Sequence, residues 1–113
     1  MFLSNANQSL TITMNPAPVS AMSINIDYAD HTARIPVAGN SSLQVTGTNS
    51  TLITGATSPN QRQIKNISIF NPNSTPVEIT IKQTYPTEII RKVETIEENQ
   101  TLQYSEHKGW TLV

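Results

Sequence analysis

Nucleophilic catalysis needs a serine held beside a histidine that a third group orients, and only His31 and His107 could supply the imidazole. No Gly-x-Ser-x-Gly elbow surrounds any serine, so both histidines read as surface imidazoles. Asp27, Asp30 and His31 offer oxygen and nitrogen ligands to a divalent ion. Along a regular strand, however, Asp27 and Asp30 point to opposite faces, and the segment lacks the ligand number of a calcium loop; the three read as a solvated strand end. Glycoside chemistry needs two carboxyl groups flanking one bond. Of two Asp and six Glu, Glu94, Glu97 and Glu98 cluster beside an expected turn and read as a wet loop. The four glycines, at 39, 47, 55 and 109, form no phosphate-cradling motif. With no cysteine in the chain, a thiolate zinc site and a disulfide framework are excluded. The expectation is a non-enzymatic protein with no cofactor and no metal.

Charge narrows the partners. Seven basic and eight acidic side chains leave a net charge of −1, which gives no excess to neutralise a row of phosphates or to hold an anionic bilayer. Neither nucleic acid nor membrane is expected as a partner, and Arg91-Lys92 is too short to form a basic patch. No stretch of ~18 apolar residues occurs, and the opening Met-Phe-Leu-Ser has no signal-peptide character, so a cytosolic translation product is expected. Six Asn-x-Ser/Thr triplets start at Asn7, Asn40, Asn49, Asn66, Asn73 and Asn99. Without a signal peptide they reflect abundant turn residues and Thr rather than glycosylation.

The elements that would position these groups follow from composition and periodicity. Apolar residues make up 36 % of 113, below the usual ~45–50 %, so the core must be thin. Thr, Ser and Asn together number 37; branched Thr suits the pleat, and Asn and Ser favour turns. Leu10, Ile12 and Met14 alternate with Ser9, Thr11 and Thr13; Met22, Ile24, Ile26 and Tyr28 alternate with Ser23, Asn25 and Asp27; Val77, Ile79 and Ile81 alternate with Glu78, Thr80 and Lys82. Period two with one dry and one wet face is the antiparallel signature. Strands are expected near 8–14, 21–30, 33–38, 42–48, 50–55, 62–70, 76–84, 88–95, 100–105 and 109–113. Turns are expected at Asn15-Pro16-Ala17-Pro18 and Gly39-Asn40-Ser41-Ser42, and a hairpin link at Asn71-Pro72-Asn73-Ser74-Thr75-Pro76. Ile89, Ile90, Val93 and Ile96 also fit a short helix capped by Thr87, which is the alternative over 88–96. Trp110, alternating with Leu112, is expected to pack at a final strand. The sum is an all-β chain: a single-domain antiparallel β-sandwich or jelly-roll-like fold over 1–113, with a short N-terminal arm over about 1–7. In that arm Phe2 and Leu3 are candidates for docking onto a partner or for folding back onto the chain's own sandwich.

Four segments carry a resemblance. They are Gln61-Arg62-Gln63-Ile64-Lys65-Asn66-Ile67-Ser68-Ile69-Phe70-Asn71, Val77-Glu78-Ile79-Thr80-Ile81, Glu97-Glu98-Asn99-Gln100-Thr101-Leu102-Gln103-Tyr104 and the closing Lys108-Gly109-Trp110-Thr111-Leu112-Val113. Together they resemble small virion structural proteins of tailed bacteriophages, over roughly residues 61 to 113. One departure is Asn99, where such chains commonly carry Gly; Asn tolerates positive φ, so the turn is expected to survive. The resemblance implies a virion structural protein, made in the host cytoplasm and built into the particle. Its first implied role is a capsid decoration or cement protein on the major capsid protein or another virion protein, as a homo-oligomer, dimer or trimer. The alternative is a neck, tail or fibre accessory that binds a glycan or receptor. A physical rationale accompanies it: many modest interfaces repeated around a symmetric shell act together.

Overall fold

The computed structural model describes residues 1–31, 35–56 and 61–113, and among them every regular element is a strand. The ten strands are β1 (Phe2–Leu3), β2 (Ser9–Asn15), β3 (Met22–His31), β4 (Pro36–Val45), β5 (Asn49–Thr54), β6 (Gln61–Phe70), β7 (Val77–Thr84), β8 (Ile89–Ile96), β9 (Thr101–Ser105) and β10 (Gly109–Leu112). They form two antiparallel sheets stacked as a single-domain β-sandwich. The first runs β10-β9-β6-β3-β4, with β1 on β6; the second runs β5-β2-β7-β8. β1 and β9 share one edge of β6 end to end, since Phe2 and Leu3 lie opposite Gln63 and Arg62 while β9 takes Asn66 to Phe70.

The period-two residues explain the stacking. Leu10, Ile12, Met14, Met22, Ile24, Ile26, Val77, Ile79 and Ile81 are all buried, joined from β6 by Ile64, Ile67 and Ile69. Removing these rows from water on both inner faces drives the two sheets together. Trp110 packs half-buried against this core, its ring 5.0 Å from that of Tyr104.

Two expectations need correction. The six-residue link 71–76 is no hairpin: β6 lies in the first sheet and β7 in the second, so the chain arches across the end of the sandwich. A buried side chain makes it an arch. Asn71 Nδ2 donates to the carbonyls of Ile96 at 2.8 Å and Thr75 at 3.2 Å, and its Oδ1 accepts from Asn73 N and Asn73 Nδ2, both at 2.9 Å. Asn73 in turn ties the arch to the one after β2, accepting from Ser20 N and donating to Ser20 O. Second, the expected strands 33–38 and 42–48 are one strand, β4, of which the proposed start at 33–34 lies outside the described residues. Gly39 sits inside β4 because Tyr28, opposite it, lays its ring where a Cβ would stand. The alternative of a helix over 88–96 is not the one taken, and the strand expected over 88–95 is β8. Its alternation is scrambled because Arg91 is an extra residue between Ile90, opposite Lys82, and Lys92, opposite Ile81. Of the two placements weighed for Phe2 and Leu3, Leu3 takes the second: it is fully buried in the chain's own core, and β1 is hydrogen-bonded to β6.

At the β8–β9 link Asn99 has φ +60°, a left-handed conformation that Asn tolerates. Its N–H donates to Asn71 O at 2.8 Å, so this turn is bound to the arch beside it.

Candidate docking surfaces

The residues that could do chemistry are placed apart and engaged locally. His31 Nε2 lies 2.6 Å from Gln63 Oε1, and its ring stands 5.8 Å from Phe2. His107 is exposed in the turn between β9 and β10. Asp27 accepts from Asn40 Nδ2 at 2.7 Å on the outer face of the first sheet. Asp30 belongs to the inner row and forms a two-pronged pair with Arg62, at 2.7 and 2.9 Å. The two aspartates therefore serve different faces. Glu94 pairs with Lys92 at 3.3 Å, whereas Glu97 and Glu98 lie exposed beyond the end of β8. No group of three or more His, Asp or Glu side chains able to hold a metal ion occurs among the described residues.

Arg62 locks one end of the sandwich. Besides Asp30 it donates Nη1 to the carbonyl of Thr54 on the opposite sheet at 3.0 Å, and its guanidinium lies 4.2 Å from the centre of the Tyr28 ring. A planar fork suits this, because it bonds a carboxylate with one edge while stacking its face on an aromatic ring. The hydrogen bond from Arg62 holds the Asp30 carboxyl below the ordinary carboxylate value, and Asp30 holds the Arg62 guanidinium above its own. Elsewhere, burial pushes the Tyr104 phenol up, and the Glu106 carboxylate adds to it.

Phe2 and Leu3 divide their roles. Leu3 is in the core, and Phe2 is half-exposed on the outer face beside His31. A buried residue left out of the apolar rows expected from the sequence holds this strand: Gln83 on β7 donates Nε2 to Phe2 O at 3.0 Å. Its Oε1 accepts from Arg91 Nε at 2.9 Å and also from Arg91 Nη2. Gln83 continues the inward row of Val77, Ile79 and Ile81, and that parity is the one signal of its burial in the sequence.

The outer surfaces differ in kind. On the second sheet the outward rows run Asn49, Thr13, Thr80, Val93 and Thr51, Thr11, Lys82, Ile90 across four strands. A threonine-rich floor therefore ends, at the edge strand, in two apolar side chains: Ile90 is 60 % exposed and Val93 50 %. Contiguous apolar exposure of this kind marks interaction surfaces. On the first sheet the β3–β4 half is self-satisfied, with Ser23 bonded to Gln44, Asn25 to Ser42 and Asp27 to Asn40. The other half is a shallow groove of about 260 Å³ lined by Asn66, Ser68, Gln103, Lys108 and Thr111. A second groove, of about 490 Å³, lies at the arch end among Pro16, Pro18, Val19, Pro72 and Glu98.

No family model matches the chain, and no curated protein or solved structure does either.

Proposed function

We propose that this chain is a non-enzymatic structural protein of a bacteriophage virion, a decoration or cement protein that binds the assembled head and stabilises it. The observation that supports this reading is the outer face of the second sheet, where threonine-rich rows, whose Lys82 is paired with Glu88 at 3.5 Å, end in exposed Ile90 and Val93 on β8. Such a face loses water favourably against an apolar protein surface and offers no charge pattern for a nucleic acid. The resemblance of residues 61–113 to small virion proteins of tailed phages points the same way. Repetition on a symmetric shell makes a modest patch effective. The test is sedimentation of purified protein with heads that lack it. Wild-type chain pellets with the heads. Ile90→Lys/Val93→Lys, which keeps its strand signature in circular dichroism, stays in the supernatant; equal pelleting of both would remove the face from the account.

A second reading, a neck, tail or fibre accessory that binds glycan, draws on the groove of Asn66, Ser68, Gln103 and Thr111. Its side-chain amides and hydroxyls have no partner among the described residues, and such groups suit a neutral, hydroxyl-rich ligand. Binding on a glycan array that Gln103→Ala abolishes would favour this reading, and an array without hits would exclude it.

A further inference from the structure

Strand edges carry unpaired backbone donors and acceptors, and folded chains guard them with shortness, bulges or inward-pointing charge. Among the described residues, the strands that end the two sheets are guarded unequally, the two-residue β1 beside β6 aside. β10 has four residues. β5 has six and carries a register shift against β2. β8 carries a register shift and, on its inward row, the Lys92–Glu94 ion pair. β4 has ten residues, pairs with β3 without any shift, and contains no charged side chain. It is also the sandwich's longest open edge.

We infer that β4 is the site of homodimerisation: a second copy of this chain adds its own β4 antiparallel to this one across a two-fold axis at Ser41, joining two sheets into one. The inference rests on the reading that the protein is a homo-oligomer, and names the surface that makes it one. Pro36 has no N–H to give, which leaves Val37–Val45 as the pairing run, centred on Ser41. Side chains alternate, so a two-fold axis sets inner row against inner row only when it passes through a residue. At Ser41 it places Val37 opposite Val45 and Gly39 opposite Leu43 on the inner side, and Asn40 opposite Ser42 and Ala38 opposite Gln44 on the outer side. Apolar meets apolar or glycine, and polar meets polar or alanine. No like charges face each other, which is what usually forbids a strand from pairing with itself. The outer polar side chains are already held by Asp27, Asn25 and Ser23, so pairing buries no orphaned amide. An uncharged strand selects no charged partner strand, and its own copy matches both its rows.

The chain has no native cysteine, so single-cysteine variants report without background. Directly opposed residues of an antiparallel pair have Cα atoms ~4.5–5.5 Å apart, within disulfide range. On mild oxidation Ser41→Cys is expected to run as a covalent dimer on a non-reducing gel, while Thr51→Cys on β5 and Thr95→Cys on β8 remain monomeric. Asn40→Lys/Ser42→Lys sets lysine against lysine twice and is expected to weaken dimerisation roughly tenfold or more in sedimentation equilibrium, with an unchanged strand signature. A dimer or trimer that cross-links through β5 or β8 and not through Ser41 overturns this inference and leaves the homo-oligomer standing. A chain monomeric at its solubility limit, with no Ser41 cross-link, overturns both, while sedimentation with heads still decides the virion role.

Discussion

Single side chains that couple the two sheets concentrate the stability of this thin-cored molecule. Arg62 bonds Asp30, Thr54 and the face of Tyr28 at once, and it and its carboxylate are each less than a quarter exposed. Arg62→Met keeps the stem and removes the fork, and is expected to cost about 2 kcal/mol in denaturant unfolding. The pair also sets an acid limb. Asp30 titrates lower in the folded chain than its ordinary 3.8, so its stabilisation is complete above that value and is lost as pH falls through the depressed folded value. Stability of Asp30→Asn measured below pH ~4 should therefore fall less steeply than that of the parent. Asn71 is the counterpart at the arch end. Asn71→Ala strands the Ile96 carbonyl and both bonded groups of Asn73, and should cost about 2–3 kcal/mol. Neither role was legible beforehand. A basic residue on a strand and an Asn before Pro have the same local signature whether they face water or the opposite sheet, and only the strand order decides which. Asn99 is the opposite case: its turn was singled out only by the resemblance, and its positive φ is one that Asn tolerates better than most residues.

At the scale of elements, period two located the strands whose inner rows are continuous, and where a bulge breaks the row on β8 it left a helix as the alternative. β2, β3 and β7 present unbroken apolar rows and were read correctly. β8 carries its extra residue at Arg91, so its isoleucines and Val93 fall on both faces at spacings a helix would also produce. The same strand shows why its inward row is charged. Lys92 and Glu94 face the inside of an edge, where a second sheet could otherwise attach, and their ion pair satisfies both. Replacing them by Lys92→Ile/Glu94→Val leaves a flat apolar edge. The expected outcome is concentration-dependent association through β8, seen by light scattering, with little loss of monomer stability. Turn chemistry misled for a related reason. Gly39-Asn40-Ser41-Ser42 has turn composition, yet a ring from the neighbouring strand fills the space above Gly39 and holds the segment extended. The link 71–76 has hairpin length, but length does not say whether the next strand joins the same sheet or the facing one.

At the scale of the whole molecule the two proposals use two unlike surfaces: an uncharged edge, β4, proposed to pair with its own copy, and a threonine-rich face bordered by Ile90 and Val93, proposed to bind a larger protein. The all-β class and the thin core were legible from composition, because a chain rich in Thr, Ser and Asn with period-two apolar rows has few other ways to bury them. Which surfaces remain open was not legible, since it depends on the order of strands in each sheet. The central claim is that this protein stabilises an assembly by binding it. The most direct test is microscopy of native particles at low resolution, with the copies of this chain counted and located. Density at many repeated positions over the head shell, absent from particles made without the protein, is the predicted result. Particles that are complete and equally stable without it, with no density attributable to it on head, neck or tail, would contradict the account.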